Sequence, residues 1–122
     1  MRTFSVRCQV SNVVDRSQSV DLPSVLVDTG SEYTWVPGKL LEEITIDRKK
    51  KDLHFVMANG EQITRSVGFA ILHVEGSFTV DEVVFAEPGE LLLLGARTLE
   101  GLNVTVDSRL KKLVAAGPLP AA

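Results

Sequence analysis

From Thr3 to Val10 apolar and polar residues alternate, with Phe4, Val6, Cys8 and Val10 on one side, which predicts a half-buried strand. Ser11 to Ser19 is polar and reads as a loop or wide hairpin connection, with Val13 and Val14 available to extend the strand. Val20 to Val27 returns as a strand broken by Pro23, an arrangement that suits an edge or a bulged entry. Its last part, Val25-Leu26-Val27, is an uninterrupted apolar run of the kind buried on both faces. Thr34, Trp35 and Val36 favour another strand, and Pro37 suits the first turn of a short helix with apolar Leu40, Leu41 and Ile44. Leu53 to Gln62 carries Asn59-Gly60 within a strand pattern, a strong short hairpin signal. Val67 to Val74 and Ser77 to Phe85 are two more strands joined at Glu75-Gly76. Glu87 to Glu90 is a turn, Leu91 to Leu94 a fully buried strand, and Arg97 begins a second short helix. Asn103 to Asp107 and Arg109 to Val114 predict a terminal strand or hairpin about Ser108.

The sum is an all-β chain with one or two short helices. At 122 residues it is one domain, assigned here to 1–114, followed by a flexible tail over 115–122 that contains two prolines. The net charge of −3 offers no basic face to nucleic acid or acidic lipid. The one charge run, Arg48 to Lys51, is flanked by Asp47 and Asp52 and reads as a solvated loop. A single cysteine, Cys8, rules out an internal disulfide framework; it fits a reducing, cytoplasmic setting and a small core residue. Met1 to Thr3 leads straight into the first strand without a signal-peptide pattern, and no apolar run approaches the length of a membrane span. His54 and His73 each stand without further ligands at metal spacing, so neither metal nor cofactor is expected.

Candidate chemistry sits where the apolar run of Val25 to Val27 meets Asp28-Thr29-Gly30-Ser31. A carboxylate carried to the end of a buried strand is costly unless it is hydrogen-bonded or partnered, and such a group is a candidate acid or base. Asp28 to Ser31 resembles the active-site loop of aspartic peptidases, and Leu91 to Ala96 is similar to the apolar-apolar-Gly segment that buttresses that loop in the same family. Their order and spacing resemble a retropepsin-like subunit, with the likeness running from about Phe4 to Val114.

That resemblance implies a closed β-barrel subunit in a two-fold homodimer acting on extended polypeptide, without metal or cofactor. It implies Asp28 as the catalytic carboxylate, with Thr29, Gly30, Ser31 and Gly95 supporting the loop. Thr29 would reach across the dimer, Gly30 would give the turn room, and Ser31 would bond the outer carboxylate oxygen. Met57, Ala58, Asn59, Gly60 and Glu61 fall where the family carries its mobile flap. Trp35 is expected to pack beneath the loop, and the terminal segment to join the dimer interface. Viral relatives place an arginine directly after the glycine, paired with an acid past the catalytic loop. Here Ala96 takes that position and Arg97 comes one later, leaving a pairing with Glu32 open. The chain has one D-T-G; Asp107-Ser108-Arg109 lacks the glycine, so a two-aspartate site requires a second copy. Two alternatives stand beside this reading: a peptide-binding or scaffolding dimer that does not cleave, and a β-rich domain in which Asp28-Thr29-Gly30 is only an Asx turn.

Overall fold

A computed structural model describes residues 3–121. Among these described residues nine strands and two short helices follow in the order β1 (Ser5–Ser11), β2 (Ser19–Val27), β3 (Thr34–Pro37), α1 (Gly38–Glu43), β4 (Lys50–Val56), β5 (Gln62–Val74), β6 (Ser77–Ala86), β7 (Leu93–Leu94), α2 (Ala96–Gly101), β8 (Val104–Asp107) and β9 (Lys112–Ala115). The first seven strands form one sheet in the order β1-β2-β7-β3-β6-β5-β4, and β1 pairs with β5 as well. β8 and β9 form a separate two-stranded sheet.

The β1–β2 hairpin turns where Asn12 intervenes. Its Oδ1 accepts the N–H groups of Val14 and Asp15, and its Nδ2 donates to the carbonyls of Ile44 and Thr45. These bonds take the amides that a strand would use, so Val13 and Val14 do not extend β1 and are left exposed. On β2 the register slips between Val6↔Val25 and Cys8↔Leu22, which places the bulge at Pro23-Ser24 as the proline suggested.

Two further expectations change. The charge run is not wholly loop: Lys50 and Lys51 open β4, although all four residues from Arg48 to Lys51 are exposed. Arg48 stacks over the Phe85 ring at 4.3 Å, and Lys50 Nζ lies 2.6 Å from Glu82 Oε1. The leucine run is not fully buried either, since only Leu93 and Leu94 form β7 while Leu91 is 64% exposed. β7 pairs parallel to β2 and antiparallel to β3, and the chain enters the sheet only there; Leu91 is still leaving the Glu87–Glu90 turn.

β5 runs unbroken for 13 residues from the Asn-Gly hairpin to Val74. Glu75 and Gly76 then link it to β6 with φ of 50° and 82°, the left-handed pair that a two-residue hairpin demands. The main core packs one face of this hairpin, through Leu72 and Val83, against Val10, Leu41 of α1 and Leu94, all at most 1% exposed, and against Leu99 of α2. Cys8 lies in it at 1% exposure, its thiol pushed up to about 12 by burial, in keeping with a core role. The β8–β9 hairpin docks through buried Leu113, and its turn is closed by Asp107 Oδ1, which accepts the N–H groups of Arg109 and Leu110. Hydrogen bonding continues to Gly117, whose carbonyl accepts Asn103 Nδ2. Among the described residues no helix is long and apolar enough to cross a membrane.

Candidate active site

β2 ends at Val27 and delivers Asp28, half-buried, just past the end of the strand, with Thr29 and Gly30 exposed beyond it. The loop is short because it closes on itself. Ser31 N–H donates to the Asp28 carbonyl at 3.2 Å, and Gly30 N–H donates to Asp28 Oδ1 at 2.9 Å. The second bond is an Asx contact, and it orients the carboxylate. A Cβ on Gly30 would come 3.2 Å from Asp28 Oδ1, so the glycine matters here for close approach. Ser31 does not serve the carboxylate as the resemblance implied; its hydroxyl donates to the Tyr33 carbonyl at 2.9 Å. A hydroxyl has one proton to give, and the carbonyl beside it takes that proton.

What separates this loop from an ordinary Asx turn is the segment packed against it. Asp28 N–H donates to the Leu94 carbonyl at 3.0 Å, Ala96 N–H to the Ser31 carbonyl at 2.7 Å, and Arg97 N–H to the Glu32 carbonyl at 3.2 Å. β7 and the start of α2 thus hold the loop at its beginning, middle and end. Gly95 is the point of closest contact: a Cβ there would meet Tyr33 O at 2.3 Å and Glu32 O at 2.7 Å. Its φ of −93° is open to any residue, so space alone requires glycine.

Behind Gly95 lies a polar chain that the strand patterns did not reveal. Gly95 N–H donates to Thr34 Oγ1 at 3.0 Å, Thr34 and Thr98 hydroxyls meet at 2.6 Å, and Thr98 donates to Asp81 Oδ2 at 2.8 Å. Because the Thr98 proton goes to Asp81, Thr34 donates to Thr98, and the chain has one direction. Thr34 and Thr98 are at most 1% exposed, so each bond avoids the cost of an unpaired buried hydroxyl. Thr34 is legible from sequence as a strand former, but its partner lies 64 residues away.

The structure also places the remaining candidates. Met57 to Glu61 form the tip of the β4–β5 hairpin: Gly60 N–H donates to the Met57 carbonyl, Met57 N–H to the Glu61 carbonyl, and Gly60 has φ 85°. Ala58 to Glu61 are exposed. Trp35 is buried, but its aromatic neighbour is Phe55 on β4 at 5.4 Å, and Tyr33 meets the same ring edge-on at 5.2 Å. It therefore supports the base of the hairpin together with Leu93, Val67 and Val84. Arg97 does not pair with Glu32 through its side chain. Its guanidinium lies over Tyr33 at 4.8 Å and 3.8 Å from Glu82 Oε2.

The fold decides the comparison with solved structures. EIAV protease complexed with the inhibitor HBY-793 matches with a TM-score of 0.58 over 81% of this chain and 86% of that one. The fold is similar to a retropepsin's. Sequence identity is 15%, so the likeness is one of fold. No protein-family model matches the chain, and no curated protein matches its sequence. In this retropepsin-like frame β7 lies between β2 and β3, so the strands on either side of the D-T-G loop are joined by the segment that carries Gly95. A concavity of about 700 Å³ is lined by Gly38, Arg48, Arg65 and Gly89 among others, and by no residue of the loop from Asp28 to Ser31. Among the described residues no group of three or more His, Cys, Asp or Glu is placed to hold a metal ion.

Proposed function

We propose that this chain is one subunit of a homodimeric aspartic endopeptidase with the Asp28 carboxylates of two copies at its centre. The observation that carries the reading is the buttressed loop: Asp28 ends β2, its carboxylate is oriented by Gly30 N–H, and the Leu94–Arg97 segment fixes the loop's backbone. The β1–β5 pairing supports a closed barrel as the scaffold. The concavity of about 700 Å³ in the single chain does not include the Asp28 loop, and a second copy would supply a groove over that loop.

In this mechanism the two carboxylates share one proton, as in known aspartic-peptidase dyads, because like charges in contact cannot both ionise. The ionised one takes a proton from a water held between them as that water attacks the scissile carbonyl. The protonated one donates to the carbonyl oxygen. Thr29 would hold the two loops together across the dimer. Substrate would lie extended below the Met57–Glu61 hairpin, bound by main-chain hydrogen bonds and selected by side-chain pockets.

The test is a peptide-library cleavage assay from acid to neutral pH, with Asp28→Asn in parallel. Cleavage that disappears in the variant supports the dyad, and full activity in Asp28→Asn sinks it. Peptide bound but uncut by a demonstrated dimer would assign the groove to binding alone.

A further inference from the structure

The β4–β5 hairpin is fastened at its base by an ion pair whose partners lie 25 residues apart in sequence. Arg65 stands on β5 between the hairpin tip and buried Val67. Its Nε donates to Glu90 Oε1 at 3.0 Å, a second guanidinium nitrogen donates to Glu90 Oε2, and a third donates to the Thr64 carbonyl at 2.7 Å. The two side chains are 14% and 23% exposed. Glu90 in turn closes its own turn: Oε1 accepts Glu87 N–H at 2.7 Å, and Glu90 N–H donates to the Glu87 carbonyl at 3.0 Å. The Arg65 hydrogen bonds hold the Glu90 carboxyl below its ordinary range, with the Glu87 N–H adding to this.

Exposed ion pairs contribute little, but this one is bidentate, mostly sheltered and built into a closed turn. Its position gives it a task. The chain leaving Glu90 passes through Leu92, whose carbonyl accepts Leu26 N–H, into Leu94, whose carbonyl accepts Asp28 N–H. One pair therefore joins the base of the hairpin to the segment that holds the D-T-G loop. Glu87 Oε2 lies 3.5 Å from the same guanidinium without a bidentate contact, and is 65% exposed.

We propose that Arg65 and Glu90 form a latch that sets the height of the β4–β5 hairpin over the groove, making Arg65 a positioning residue for peptide binding. The role in binding rests on the peptidase reading, whereas the latch itself does not. A planar fork is needed to span both carboxylate oxygens, so lysine at 65 serves only in part.

Amide hydrogen exchange followed by mass spectrometry on the whole chain tests the latch directly, comparing Arg65→Met, Arg65→Lys and Glu90→Gln with the parent. The expected result is about tenfold faster exchange in residues 53–63 and 87–93 of Arg65→Met, as loss of a charge-assisted contact implies, with β6 unchanged and Arg65→Lys between the two. Unchanged exchange in either segment, or equal acceleration throughout the chain, overturns the latch. Peptide-cleavage kinetics on the same variants separate positioning from simple stability: KM should rise about tenfold in Arg65→Met while kcat stays within about threefold. Faster exchange with an unaltered KM overturns the positioning role. If the parent chain cleaves no peptide, the peptidase reading fails while the exchange result still decides the latch.

Discussion

Asp28 accepts a backbone N–H on Oδ1 before any partner arrives, so its carboxylate is oriented by its own loop. Asp28→Asn keeps the size and most of the hydrogen bonding of the side chain but removes the carboxylate that the proposed mechanism uses as its base. Activity should fall by roughly 10³-fold or more, with a thermal midpoint close to the parent's, measured by cleavage assay and calorimetry side by side. The two glycines of the site should part company. At Gly95 the added Cβ meets backbone at 2.3 Å, which cannot move without displacing the loop, so Gly95→Ala should cost about 3 kcal/mol in urea unfolding. At Gly30 it meets only a carboxylate oxygen at 3.2 Å, so Gly30→Ala should cost under about 1 kcal/mol yet lower kcat by turning the Asp28 carboxylate. The D-T-G tripeptide was legible because its bonds are local. The partner of the Ser31 hydroxyl is not legible from sequence, because the choice between the carboxylate and the Tyr33 carbonyl depends on how the following chain is laid down.

The strands were mostly visible as patterns, and the departures have physical causes. Asn12 caps a turn that two valines would otherwise have continued, and β7 is short because only Leu93 and Leu94 reach partners on both sides. Neither effect is a property of the residues that changed state. At this scale the Glu87–Glu90 turn carries a pH dependence. The Arg65 bonds depress the folded Glu90 pKa below its unfolded value, so the stabilisation is complete above about pH 4.5 and is lost as pH falls through the depressed value. His73 acts in the same direction: burial, with Arg16 adding to it, lowers its pKa, so its contribution is present above about pH 6.5 and declines as pH falls below that. Unfolding free energy should therefore decrease from neutral pH into acid in two stages. Glu90→Gln should flatten the lower stage and leave the upper one, as read by chemical denaturation at a series of pH values.

For the molecule as a whole, activity should follow assembly. With one Asp28 per chain, the rate should rise faster than linearly with protein concentration and become proportional once sedimentation shows only dimer. Proportional activity at concentrations where the chain sediments as a monomer would sink the two-copy site. The sequence by itself determined the strand periodicity, the two-residue Glu75-Gly76 turn, the Asn-Gly hairpin and the D-T-G loop, because each is encoded by neighbours within a few residues. Only the tertiary structure decided that β7 slots between β2 and β3, that Thr34 reaches Thr98 and Asp81, that Trp35 meets Phe55 of the hairpin, and that Arg65 meets Glu90. Those contacts join positions far apart along the chain. Local preference fixes which face a residue presents, and the packing of the whole sheet fixes what that face meets.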